Sequence, residues 1–328
     1  LTKKEPFFPK DTNYFTLPFK NYLANRKALA QSHMVGEIPD YAYGVDYLLR
    51  QKIRAIPGFY PLVKAITNTY VPYIKQQTNL RSLKVGPTQF PDVYEIVSDC
   101  AMRLGIGIPA VYIEPNPSII NACTYAYEDD TPIILITSAL LERVTPGELR
   151  AVIGHECGHI HNNHGIYNTA ANLVLNSLQI AIPGIQQIMA AISAPLRWSI
   201  MMWSRAGEVT CDRAGVICSD AANDNITLQA KFMYGAALNR QDINIEAILK
   251  QYDTLRSTPV RLLELEDTHP LSVRRIFAIR EFLGSEVLYS WRPEWKTPDM
   301  HLIGKQELDS RCEKYISVAK SENRRRTP

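Results

Sequence analysis

Hydrophobic positions change their period several times along this chain, and each change marks an element. Across residues 41–77 apolar side chains recur at mixed helical spacings, so helices are expected there, with breaks at Pro57-Gly58 and at Pro61. Residues 91–104 read as an amphipathic helix, with Pro91 in its first turn and Gly105 just past its end. The period then falls towards two. Residues 110–114, 119–125 and 132–137 are short β-rich runs separated by turn residues, and the last is the most strand-like in the chain. Three strands ahead of a helix predict a small sheet, antiparallel or mixed.

The helical period returns at Thr145-Pro146-Gly147-Glu148, where an N-cap threonine, a first-turn proline and a glutamate three residues on form a capping box. Apolar Leu149, Val152, Ile153 and Ile160 then share a stripe. At ~100° per residue, His155 and His159 project to one side of that stripe and border the core, in a cleft. His161 and His164 point away from that side if the helix continues, so they read as surface or capping residues. Residues 165–196 carry no charge, but Pro183-Gly184 and six amides break the run into halves short of the ~20 residues a spanning helix needs. The segment 165–203 reads as a helical hairpin packed on the protein or in peripheral contact with a membrane, in preference to a pair of spanning helices. Residues 205–215 form a further helix, and helices continue to about residue 283 with a break at Thr268-His269-Pro270. Residues 1–40 read as a strap and residues 284–328 as an irregular extension with a polar tail.

The expected architecture is therefore α+β and mostly helical, with a small sheet packed on the central helix. Its expected parts are an N-terminal region (1–84), a catalytic domain (85–283) with the hairpin inserted, and the C-terminal extension (284–328).

Composition narrows the function class. The chain has 328 residues, 46% hydrophobic, with 36 basic and 33 acidic side chains, a balance that argues against a nucleic-acid partner. Six cysteines without C-x-x-C spacing fit buried thiols in a reducing compartment better than a disulfide framework, and the first residues lack the apolar run of a secretory signal. A cytoplasmic location, with or without membrane association, is the expectation. Oligomeric state is not legible.

The candidate chemistry lies in His155-Glu156-Cys157-Gly158-His159. Two imidazoles one helical turn apart can bind one zinc ion, and the glutamate after the first can reach a water on it. The pentapeptide also arises by chance, so its surroundings decide. A third ligand is needed. Metzincins place a histidine ten positions after the first, where this chain has Gly165. Gluzincins take a glutamate from a later helix, with an aspartate four residues on supporting a ligand histidine. Glu208 and Asp212 fit that spacing.

With these motifs in their order, the chain resembles the gluzincin peptidases that include the HtpX-type heat-shock proteases, the CAAX prenyl protease and the mitochondrial protease OMA, and among them the soluble or peripheral bacterial members. The resemblance covers roughly residues 85–283. It implies a zincin-like fold, a Zn²⁺ ion held by His155, His159 and Glu208, and Asp212 as support. Arg205 to Asp212 matches the third-ligand helix, with Cys211 where alanine is usual. Asn121-Ala122, with Cys123, matches an edge strand that pairs with an extended polypeptide substrate. His269-Pro270 and Arg275 match a motif that contacts the substrate or the tetrahedral intermediate.

The implied activity is a zinc-dependent endopeptidase acting on extended or misfolded polypeptides, with Glu156 as general base and His269 and Arg275 stabilising the oxyanion. The competing expectation is a latent or non-proteolytic metal-bearing adaptor that binds partners through its hairpin. An intact general base counts against it, since an adaptor has no chemical need for Glu156.

Overall fold

The computed structural model describes residues 33–126, 131–175, 194–235, 243–255 and 271–316. A two-stranded ribbon, β1 (Met34–Val35) and β2 (Ile38–Pro39), leads into helices α1 (Gly44–Arg54) and α2 (Phe59–Arg81). The expected break at Pro61 is absent: Pro61 sits in the first turn of α2, where its missing N–H has no helical partner to lose. Strand β3 (Leu83–Lys84) and α3 (Pro91–Leu104) follow, and α3 ends at Gly105 in the left-handed conformation (φ 66°).

Strands β4 (Ala110–Glu114), β5 (Ala122–Tyr125) and β6 (Ile133–Thr137) join β3 in a mixed sheet of order β3-β4-β6-β5. β4 and β6 run parallel at its centre, while β3 and β5 are antiparallel to their neighbours. The central runs are apolar on both faces because both faces are covered: Val111, Tyr112 and Ile113, then Ile133, Ile134 and Ile136, are all buried. β5 is shorter than the 119–125 run predicted. It begins at Ala122, and Asn121 stands just before it, its backbone N–H donating to Thr137 Oγ1 (3.0 Å).

The short α4 (Ser138–Arg143) precedes α5 (Pro146–His161), whose capping box forms as read: Thr145 Oγ1 accepts from Glu148 N–H (3.2 Å) and Glu148 Oε2 accepts from Thr145 N–H (2.8 Å). α5 is buried almost all round rather than on one stripe. It is the axis of the molecule. Next come α6 (Gly165–Leu175) and α7 (Ala194–Cys218), then α8 (Asp224–Tyr234), α9 (Ile245–Leu255) and α10 (Ser272–Leu283). The middle of the predicted hairpin insertion, residues 176–193, lies outside the described residues, while its two flanks belong to α6 and α7. Among those described, no helix is long and apolar enough to cross a membrane.

The expectation of an irregular extension after residue 283 fails. Residues 286–291 form α11 (Glu286–Trp291) and residues 305–316 form α12 (Lys305–Ile316). Leu288, Leu308, Cys312 and Ile316 pack into the main core, and Arg292 donates to the carbonyls of Ile217 and Ser219 that close α7. The polar composition of this stretch hid a few well-spaced apolar anchors. A smaller apolar cluster, including Ile53, Val63, Ile166 and Trp203, ties α1, α2, α6 and α7 together.

Candidate metal centre

The site is built where α5 crosses α7, and glycine sets how close they come. A Cβ on Gly154 would lie 2.5 Å from Cys218 Cβ, and one on Gly158 2.8 Å from Ala214 Cβ. With only hydrogen at these two positions, one turn apart, the helix backbones approach closely enough for Glu208 on α7 to meet His155 and His159 on α5. His155 Nε2 lies 3.5 Å from Glu208 Oε2, and His159 Nε2 lies 3.7 Å from Glu208 Oε1. These separations are too long for hydrogen bonds. They suit a common ligand: donor atoms about 2.1 Å from one tetrahedral ion stand about 3.4 Å apart.

The outer nitrogen of each imidazole is held from behind. His155 Nδ1 is 3.1 Å from Asp212 Oδ1. Asp212 in turn accepts two bonds from Arg275 on α10, from Nε (2.8 Å) and Nη2 (2.5 Å), and Arg275 Nη1 stands 3.3 Å from Glu208. Burial would raise the Asp212 carboxyl, but the Arg275 charge and these hydrogen bonds hold it below the ordinary range. Burial alone would lower the His155 imidazole, and the charge of Glu208 with the Asp212 hydrogen bond more than offsets it, so the net shift is upward.

His159 Nδ1 meets His164 Nδ1 at 3.0 Å, and His164 Nε2 meets Asp46 Oδ2 on α1 at 3.1 Å. His161 and His164, expected as surface or capping residues, are both fully buried. The helix does not continue to His164. α5 stops at His161, Asn163 takes a left-handed φ of 56°, and the turn swings His164 back beneath His159, its N–H donating to the His159 carbonyl (2.9 Å). His161 Nδ1 instead meets the Tyr41 hydroxyl at 3.0 Å.

Gly165 follows directly, where a Cβ would lie 2.2 Å from the Ala126 carbonyl oxygen. No larger side chain fits there, which closes the one position from which a histidine could have completed the alternative ligand set.

Glu156 is buried and accepts a short hydrogen bond from Thr124 Oγ1 on β5 (2.6 Å). Sequence reasoning passed over Thr124. The strand period alone puts it on the same face as Ala122, but nothing local says that this face meets the helix. Both strand and helix open onto a cavity of about 390 Å³ whose lining includes Asn121, Ala122, His155, Glu156, Glu208 and Arg275 together with apolar Leu140, Val152, Leu228 and Phe232. Asn121 is exposed, while Ala122 and Cys123 are half-buried on β5, the strand at the edge of the sheet that no other described strand pairs. Arg275 faces the cavity with its guanidinium engaged by Asp212 and Glu208. His269 lies outside the described residues.

Cys211 is the remaining candidate ligand, its Sγ falling with the two imidazoles in a cluster whose donor atoms lie within 4.8 Å of one another. Burial drives its thiol well above the ordinary value, and Sγ sits 3.6 Å from His164 Nδ1, on the outer side of His159.

Residues 87–283 match the family described as Peptidase family M48. The plastoglobule-localized metallopeptidase 48, chloroplastic, of Arabidopsis thaliana is 29% identical over 255 residues, covering 75% of this chain and 73% of that protein. Protease HtpX of Legionella pneumophila is 27% identical over 215 residues, 57% of this chain and 75% of that one. The Protease HtpX homolog of Streptococcus uberis is 29% identical over 130 residues, 38% of this chain and 41% of that protein. The crystal structure of S. mikatae Ste24p aligns at a TM-score of 0.40 and 15% identity over 72% of this chain and 62% of that one.

Proposed function

The chain belongs to peptidase family M48, and on that premise we propose that it is a zinc-dependent endopeptidase that cuts extended or misfolded polypeptides. The observation that carries the zinc reading is the convergence of two Nε2 atoms on one carboxylate at 3.5 and 3.7 Å. His155, His159 and Glu208 would hold the ion, and Cys211 would not. When bound, zinc supplies Lewis acidity, acidifying a water and polarising the scissile carbonyl.

The other roles belong to this chain's own side chains. Glu156 takes the attacking water's proton and delivers it to the leaving amine, with Thr124 fixing its carboxylate. The substrate backbone adds as a strand to the free edge of β5 at Asn121, Ala122 and Cys123, which gives affinity through main-chain hydrogen bonds with little dependence on sequence. The apolar wall of Leu140, Val152, Leu228 and Phe232 takes one substrate side chain. Asp212 orients His155, and Arg275, expected with His269 to contact the oxyanion, also holds Asp212 and Glu208 in place. His269 contributes to the oxyanion contact.

The test is cleavage of a denatured polypeptide such as casein by wild type and by Glu156→Gln, each assayed for zinc. Glu156→Gln should keep its zinc and lose about 10²–10⁴-fold in rate. Undiminished cleavage by the zinc-loaded variant sinks the mechanism.

A further inference from the structure

The structure assigns Asp46 and His164 to the positioning of His159: a carboxylate on α1 fixes a second imidazole, which in turn fixes the metal-facing nitrogen of the first. This rests on the zinc reading above and extends the site to α1, which lies outside the matched residues 87–283.

Hydrogen bonding dictates the direction of the chain. An ionised carboxylate can only accept, so His164 Nε2 carries a proton towards Asp46 Oδ2 (3.1 Å). A neutral imidazole protonated there presents a lone pair at Nδ1. That lone pair faces His159 Nδ1 at 3.0 Å, and two bare nitrogens cannot hold such a contact, so His159 is protonated at Nδ1. Its Nε2 is then the unprotonated atom, aimed at Glu208. One buried carboxylate thus sets two tautomers in series and leaves His159 ready to ligate.

Competing partners at the same atoms are weaker. The Asn168 amide approaches His159 Nδ1 at 3.3 Å and Cys211 Sγ approaches His164 Nδ1 at 3.6 Å, both longer than the imidazole contact. Asp46 itself is rigidly placed. It is fully buried and accepts from Thr210 Oγ1 (2.8 Å), Trp203 Nε1 (2.8 Å) and Arg50 Nε (3.0 Å). Thr210 lies on α7 between Glu208 and Asp212, so the carboxylate is anchored to the same helix that carries the third ligand. Arg50 also donates to the Asn162 carbonyl, clamping the turn that returns His164.

A merely structural network would stabilise the fold without touching the metal, and the experiment separates the two. Zinc affinity is measured by chelator competition, and the visible spectrum is recorded on the cobalt-substituted protein, for His164→Leu, His164→Asn and Asp46→Asn, with circular dichroism to verify folding. His164→Leu should lose about 10–100-fold in zinc affinity and shift the cobalt bands. His164→Asn places an amide oxygen where Nδ1 stood and should recover most of that affinity. Asp46→Asn should fall between them. Trp203→Phe removes a bond to Asp46 but leaves the relay, and should lower thermal stability with zinc affinity unchanged. The proposal is overturned if folded His164→Leu binds zinc as wild type does with an unshifted cobalt spectrum. If His164→Leu does not fold, the same criteria applied to Asp46→Asn decide. Zinc in wild type and its loss in His155→Ala keep the zinc reading standing whatever the relay variants do, whereas a wild type unable to bind zinc sinks both.

Discussion

His155 and His159 sit one turn apart on α5, yet what stands behind them differs in kind. Behind His155 is an ionised pair, Asp212 doubly bonded to Arg275, with the imidazole lining the cavity and 12% of its side chain exposed. Behind His159 is a second imidazole, His164, and then a carboxylate, all closed off from water. A charge-assisted bidentate pair keeps its geometry beside solvent because each partner has multiple bonds to lose. A contact between two imidazoles is directional only while no water competes for the shared proton, so it requires the dry pocket that α1, α6 and α7 enclose. The open side uses charge; the closed side uses burial.

The largest effect should come from the charged side. Asp212→Ala strips His155 of its orienting acceptor and leaves the buried Arg275 without its bidentate partner. Zinc affinity should fall by about 100-fold, and denaturant titration of the zinc-free protein should show a loss of roughly 3–5 kcal/mol. Equal losses from Asp212→Ala and His164→Leu, in both affinity and stability, would erase the contrast. Next is Thr124→Val, which removes the 2.6 Å donor to Glu156. It should lower kcat by about tenfold with zinc content unchanged.

A pH titration separates the two histidines further. Burial pulls the zinc-free His155 imidazole down, but Glu208 and Asp212 outweigh it, so the imidazole keeps its proton to higher pH than an ordinary one, and zinc must displace that proton. Apparent zinc affinity should therefore rise with pH through the ordinary imidazole range and above, and binding should release protons measurable in weakly buffered solution. The His164 imidazole is shifted down by burial, against the pull of Asp46, so it loses its proton at lower pH than an ordinary imidazole and should add less to the slope. The smallest effect is expected for Cys211→Ala, with zinc affinity within about twofold of wild type. A loss near that of His155→Ala would make the thiol a ligand and remove Glu208 from that role.

The charged side was legible in the sequence and the buried side was not. His155, Glu156 and His159 lie in one turn, and Glu208 and Asp212 recur at one helical spacing, so local periodicity groups them. Their mutual distance depends on Gly154 and Gly158, whose contribution is the absence of a side chain. Asp46 and His164 are 118 positions apart and share no local pattern. His164 was placed on the wrong face because extrapolating α5 past His161 ignored the left-handed turn at Asn163, a conformation asparagine tolerates but does not announce. The sheet was read as small and mixed or antiparallel, and it is mixed. The short β3 and the helices after residue 283 were missed, because two residues make no period and a few anchors in a polar stretch make a weak one.

β5 carries a consequence of its own. A strand whose outer side is paired by no other described strand is open to any exposed strand, including one from a second copy of the same molecule. Its reach is limited by its length. Four residues, bounded by the Asn121 backbone tied to Thr137, offer too few rungs to seed a stable fibril. Economy of edge is thus a safeguard against self-association.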